Sequence, residues 1–266
     1  MVIDKIDLAK AGSLQIYSQS NSSEIDAKRK RPCILICPGG GYENLSFRES
    51  EPVALKFLAM GYQTAVLSYS VAPEVFPTAI FQLAEAILYL KEHHEQYFID
   101  SDRIILMGFS AGGHLAGLYG SSYAQEVLLK DIGTKEKRQI QAIVLSYPVV
   151  TSGEFAHTDS FHALLASNYE QRDSLSLEKL VDATYPPTFV WHTQQDDTVP
   201  VQNSLLLVNQ LIAYGIPTEF HLFTEGLHGL SLGTAETKRS SSPLLIQPEV
   251  QVWPELCHAW LESQSK

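Results

Sequence analysis

The sequence predicts one α/β domain, a mostly parallel central sheet with helices on both faces. Three observations predict it. Apolar strand-like runs alternate with helix-like segments along the chain, the rhythm of successive βαβ units. Those runs are nearly continuous in apolar residues, as strands covered on both faces are. The 266 residues, 45% of them hydrophobic, suit a single α/β domain with a large core, so residues 1–266 are expected to form one unit.

Each element has its own signal. The first strand is expected over Ser13–Ser18, about a dozen residues in. Arg31–Cys37 is an apolar strand stopped by Pro38. Residues 50–60 read as a helix, with Ser50 as N-cap, Pro52 in the first turn and Gly61 past the end. Residues 63–69 are the next strand. Between 78 and 91, Ile80, Leu83, Ala84, Ile87 and Leu88 form a one-sided helical stripe. Residues 103–107 are a strand, followed by a helix-compatible run from Gly113. Residues 141–147 and 188–192 are two more strands. A helix over 203–214 is stopped by Gly215 and Pro217, and Thr218–Phe223 is the last strand. Residues 254–261 close the chain as a helix with Leu256, Cys257 and Trp260 on one side. That apolar segment suits packing on its own core or on a second subunit, so a homo-oligomer stays open.

Two stretches break the rhythm. Residues 148–185 exceed an ordinary crossover and hold helix-like pieces near 161–166 and 175–181, which suggests a small lid built into the domain. Residues 233–243 are polar and serine-rich and suggest a surface excursion.

Charge and cysteines narrow the setting. Lys and Arg number 19 against 30 Asp and Glu, a net −11, which disfavours nucleic acid and anionic membranes as partners. No stretch reaches the ~20 apolar residues that span a bilayer. Asp4, Lys5 and Asp7 stand where a signal peptide needs its apolar centre. Cys33 and Cys37 fall on one strand, about 13 Å apart at ~3.3 Å per residue, too far to bridge. These features favour the cytoplasm.

The chemistry centres on Gly108-Phe109-Ser110-Ala111-Gly112, which reads G-x-S-x-G between a strand and a helix. A serine on such a sharp turn has its hydroxyl thrust clear of the backbone, and small neighbours let the turn close. The helix that follows aims free N–H groups and its positive dipole end at the same spot. A hydroxyl attacks only if a base takes its proton, and a third group must hold the base. Both should follow later strands, acid before histidine. Asp196 and Asp197 both follow the strand at 188–192 and compete for the acid; capping a helix that begins near Val201 is the other role open to them. Of nine histidines, His228 alone combines that order with a loop after the last strand, between Gly226 and Gly229. His93 and His94 sit at a helix end, His192 ends a buried strand, His221 lies within a strand, and His114, on the helix after the serine, belongs to packing or hydrogen bonding. The run Pro38-Gly39-Gly40-Gly41-Tyr42 lets backbone N–H groups converge on one point. Gly40 and Gly41, with Ala111, are the expected oxyanion donors. No phosphate-loop pattern surrounds these glycines. Tyr42 and the turn at 153–157 are candidate pocket linings. His157 and His162, with Glu154 and Asp159 nearby, lack the spacing of a metal site. No metal and no organic cofactor is expected.

Taken together, the motifs resemble the α/β-hydrolase carboxylesterases, in the branch of hormone-sensitive-lipase-like and acetyl-xylan-esterase-like proteins. The resemblance spans residues 34–230. It rests on Pro38 to Tyr42, on Gly108 to Ala116, on Asp196 with Val199-Pro200, and on His228-Gly229. It implies Ser110 as nucleophile, His228 as base and Asp196, through the D-x-x-V-P spacing, as acid. It also implies hydrolysis of short acyl esters by an acyl-enzyme, with a small-molecule ester, an acetylated sugar among the candidates, as substrate. Two departures stand out. Pro38 replaces the histidine that lipase-like relatives carry before their glycines, and their N-terminal helical cap is missing or replaced by residues 148–185. Both point to an open esterase that admits a bulky sugar. Two rivals share the fold: a small serine exopeptidase, and a non-catalytic binding module. All three triad candidates being present speaks against the second, and fold alone proves no activity.

Overall fold

The computed structural model describes residues 1–132 and 138–264. Among them, eight strands build one sheet: β1 (Val2–Asp7), β2 (Ser13–Ser18), β3 (Arg31–Cys37), β4 (Gln63–Ser68), β5 (Ile99–Phe109), β6 (Ala142–Ser146), β7 (Thr188–Thr193) and β8 (Thr218–Phe223). Their order is β1-β2-β4-β3-β5-β6-β7-β8. β1 and β2 join antiparallel, as do β2 and β4, and every pair from β4 to β8 is parallel. The helices are α1 (Glu51–Ala59), α2 (Thr78–Glu92), α3 (Ala111–Gly120), α4 (Ser122–Ile132), α5 (Thr158–Leu165), α6 (Gln202–Ala213) and α7 (Trp253–Ser263).

Strand pleating sorts the core into two layers. On β3, Cys33, Leu35 and Cys37 join the cluster that holds the inner faces of α2, α3 and α6. Ile34 and Ile36 join the cluster built with α1 and α7. Alternate residues point to opposite faces, so one apolar run serves both layers. Trp253, Cys257, Trp260 and Leu261 of α7 are buried in that second layer, so the closing helix spends its apolar side on its own core.

The structure departs from the sequence reading in several places. The first strand is β1, not β2. Its exposed, charge-bearing edge hides the strand signal, and six register pairs with β2 make it. β5 starts at Ile99, before the polar Asp100-Ser101-Asp102. Arg31 pairs with Ile99, and an irregularity in register then sets Cys33 against Ile104. Helix α4 is an element the sequence reading lacks. Ser50 holds the N-cap position of α1 without a side-chain capping bond; its hydroxyl donates to the Ser46 carbonyl at 2.8 Å. The 233–243 stretch is more than a surface excursion, since Thr237 is fully buried. Residues 148–185 hold α5 and 3₁₀ turns at Ala166–Leu175 and Leu177–Lys179.

Candidate active site

Ser110 stands between β5 and α3 with φ 53° and ψ −119°, a left-handed conformation that costs a non-glycine residue about 1–3 kcal/mol unless its surroundings enforce it. They do. Its N–H donates to the Ser146 carbonyl at 3.0 Å, and its carbonyl accepts from the His114 and Val149 N–H groups, each at 3.1 Å. Close approach explains the flanking glycines. A Cβ on Gly108 would lie 2.2 Å from the Gly112 carbonyl oxygen, and one on Gly112 would lie 2.1 Å from that of Cys37.

The turn brings the serine to a histidine and the histidine to an acid. The Ser110 hydroxyl donates to His228 Nε2 at 2.8 Å. His228 Nδ1–H donates to Asp196 Oδ2 at 2.7 Å. Asp196 Oδ1 accepts the Thr198 and Val199 N–H groups at 3.0 and 2.8 Å, so the turn itself aims the carboxylate. Burial alone would raise the Asp196 pKa. Hydrogen bonds from His192 and His228 overcome it and hold the carboxyl well below the usual range. Asp197 is exposed; its Oδ1 accepts from the Thr198 hydroxyl at 3.2 Å. Between the competing aspartates, it is Asp196 that meets the ring.

Gly40 and Gly41 line the same cavity as Ser110 and His228, a hollow of about 480 Å³. Their φ angles are +129° and +68°, a region open to glycine without penalty. At Gly40 a Cβ would also lie 2.1 Å from the Asn44 carbonyl oxygen. Ala111 is the first residue of α3, where backbone N–H groups lack a helical acceptor. The cavity wall is largely polar, with Glu43, Asn44, Arg48, His157, Asp159 and Arg239. Two other hollows, of about 580 and 600 Å³, lie away from Ser110.

Tyr42 corrects an expectation. It is 2% exposed and does not line the cavity. Its hydroxyl donates to His114 Nδ1 at 2.8 Å, and His114 Nε2–H donates to the Leu175 carbonyl at 2.8 Å. Burial pushes the His114 pKa down to about 4, so the neutral ring links the glycine loop, the elbow helix and the 148–185 stretch. His157 lies in the cavity wall and its Nδ1 accepts the Ser160 N–H at 3.3 Å. Burial, and then the neighbouring His228, lower its pKa. His162 turns elsewhere and stacks on Tyr169 at 3.6 Å.

Sequence reasoning missed two groups. Glu49 is a buried carboxylate. Its Oε2 accepts the Gly39 N–H at 2.9 Å and its Oε1 accepts the Tyr147 hydroxyl at 2.7 Å, while Tyr147 Oη accepts the Ser231 N–H at 2.9 Å. Beside it, Arg48 Nη1 donates to the Gly229 and Thr237 carbonyls at 2.7 and 2.9 Å. The pair ties the glycine loop to the histidine loop, and no spacing rule announces it. The other is His192, at the end of β7, whose Nε2 lies 3.1 Å from Asp196 Oδ2.

Fold, elbow and Ser–His–Asp geometry define the class: an α/β-hydrolase of the carboxylesterase kind. The BD-FAE family model matches residues 14–211, and the chain belongs to that family. It is 36% identical to the acetyl ester-xyloside bifunctional hydrolase from Caldicellulosiruptor lactoaceticus, covering 96% of this chain and 89% of that one with a TM-score of 0.80. The carboxylesterase Cest-2923 from Lactobacillus plantarum superposes with a TM-score of 0.89 at 28% identity, covering 100% and 98% of the two chains. Endo-1,4-beta-xylanase B from Butyrivibrio fibrisolvens is 35% identical over 78% of this chain, which spans 34% of that protein's length. Esterase LipQ of Mycobacterium tuberculosis is 28% identical over 66% of this chain, which spans 44% of that protein's length.

Proposed function

We propose that this chain is a serine esterase that removes short acyl groups, acetyl foremost, from a polar alcohol such as a sugar. The observation that carries the reading is the unbroken chain from Ser110 through His228 to Asp196, at 2.8 and 2.7 Å, in the wall of a polar cavity. His228 takes the Ser110 proton as the oxygen attacks the ester carbonyl. Asp196 holds the ring in the tautomer with its free lone pair on Nε2 and stabilises the imidazolium. The N–H groups of Gly40, Gly41 and Ala111 receive the oxyanion, each such donor being worth about 2.7–4 kcal/mol in the transition state. His228 then returns the proton to the leaving alcohol, and water activated by the same ring hydrolyses the acyl-enzyme.

Charged and amide side chains around the serine favour a hydroxylated alcohol over a long acyl chain. The C. lactoaceticus protein, whose name joins acetyl ester and xyloside, supports the same reading. Residues 148–185 act as a wall of the site within a single domain, through His157 and Asp159. Three buried free thiols, Cys33, Cys37 and Cys257, suit the reducing cytoplasm.

Hydrolysis of p-nitrophenyl acetate and octanoate by wild type and Ser110→Ala tests this. Fast acetate cleavage, at least tenfold slower octanoate cleavage, and loss of both in the variant are expected. A preference for octanoate would refute the short-acyl reading. Cleavage that survives Ser110→Ala would remove the serine from the mechanism.

A further inference from the structure

The mechanism above uses one face of Asp196 and leaves a second histidine unexplained. His192 is fully buried at the end of β7. Its Nε2 lies 3.1 Å from Asp196 Oδ2 and 3.0 Å from the Val199 carbonyl oxygen. Both partners accept, so Nε2 carries the proton and shares it between them. Its Nδ1 lies 2.7 Å from the Ser204 hydroxyl on α6, which donates to it. The ring is thus satisfied at both nitrogens.

From this geometry we infer that His192 is a positioning residue for the catalytic acid. The inference rests on the esterase reading of Ser110, His228 and Asp196. Asp196 Oδ1 is held by the N–H groups of Thr198 and Val199. Without His192, Oδ2 has His228 as its anchor, and carboxylate and imidazole are free to shift together. With His192, the oxygen that receives His228 Nδ1–H is also held from the protein interior. The 2.7 Å bond to His228 is the shorter of the two, so the buried ring steadies the acid while leaving it to the base. Contact with the Val199 carbonyl closes the same turn from within. Ser204 in turn fixes the ring, so α6 reaches the acid through two side chains.

Two substitutions separate positioning from mere packing. In His192→Gln the side-chain amide reaches as far as Nε2 and offers a donor to Asp196. In His192→Asn it reaches only as far as Nδ1, keeping Ser204 and losing Asp196. Initial rates on p-nitrophenyl acetate give kcat and KM, with Ser110→Ala alongside and thermal unfolding to establish that each variant is folded. The expected result is a kcat for His192→Asn lowered by about 10²-fold, the scale of a small misplacement in a catalytic group, with KM within about threefold. The kcat of His192→Gln should stand at least about tenfold above it. Equal kcat in the two folded variants, whether high or low, overturns the proposal. Should His192→Asn not fold, Ser204→Ala decides: kcat several-fold below wild type at steady KM supports the assignment, and kcat at the wild-type level overturns it. Activity that persists in Ser110→Ala refutes the underlying esterase reading instead, whatever the His192 variants do.

Discussion

Acid should weaken this protein through His114, by an amount that follows from its burial. The ring sits in α3 with no exposure, accepting from Tyr42 and donating to the Leu175 carbonyl. Its pKa falls from the usual 6.5 to about 4. The folded chain therefore refuses a proton that the unfolded chain accepts once pH drops below about 6.5. The unfolded state binds more protons through that window, so stability rises with pH and is lost as pH falls. The slope is about 1.4 kcal/mol per pH unit, which gives roughly 2 kcal/mol between pH 6.5 and pH 5. Protonation also turns Nδ1 into a donor facing the Tyr42 hydroxyl, loosening the residue next to Gly41. Urea unfolding of wild type and His114→Gln at pH 7, 6 and 5 isolates the effect, because every other titrating group is common to both. Glutamine offers an acceptor and a donor but does not titrate. The stability gap between the two proteins should narrow by about 2 kcal/mol from pH 7 to pH 5. Parallel curves would mean that protonation of His114 does not set this loss of stability.

Three further outcomes follow from the site. Asp196→Asn should lower kcat/KM on p-nitrophenyl acetate by about 10⁴-fold, the cost of a wrongly held imidazole, while Asp197→Asn stays within about threefold; equal losses would mean that the acid has been misassigned. Gly112→Ala drives a Cβ to 2.1 Å from the Cys37 carbonyl oxygen; a cost of about 3 kcal/mol should lower Tm by roughly 5–10 °C, and an unshifted Tm would contradict the close packing. His157 is neutral near pH 7 and turns Nδ1 to Ser160, which leaves its Nε2–H to serve a substrate oxygen. His157→Leu should cut kcat/KM on an acetylated xyloside by about tenfold, the worth of one hydrogen bond, with little change on p-nitrophenyl acetate; equal effects would remove it from substrate recognition.

Legibility in the sequence followed the reach of each interaction. The elbow was readable because its constraints are local: a strand, a serine, a helix, and glycines where side chains would collide with Gly112 and Cys37. The buried strands β3, β4 and β7 were readable because a two-faced sheet demands apolar runs. β1 was not, since as an edge strand it is half-exposed and carries charge. Tyr42 was misread because its neighbours in sequence line the cavity while its own ring turns inward to Tyr69 and His114.

Periodicity and turn chemistry act over a few residues, so the order of amino acids alone pointed to the fold class, the elbow serine and the histidine loop. Folding set which of two adjacent aspartates meets His228, since one residue of register in the turn buries Asp196 and leaves Asp197 in solvent. It also decided that Glu49 joins Gly39 to Tyr147 and that His192 stands behind Asp196. Such contacts join elements far apart along the chain, and only the stacking of parallel strands brings them within hydrogen-bond distance.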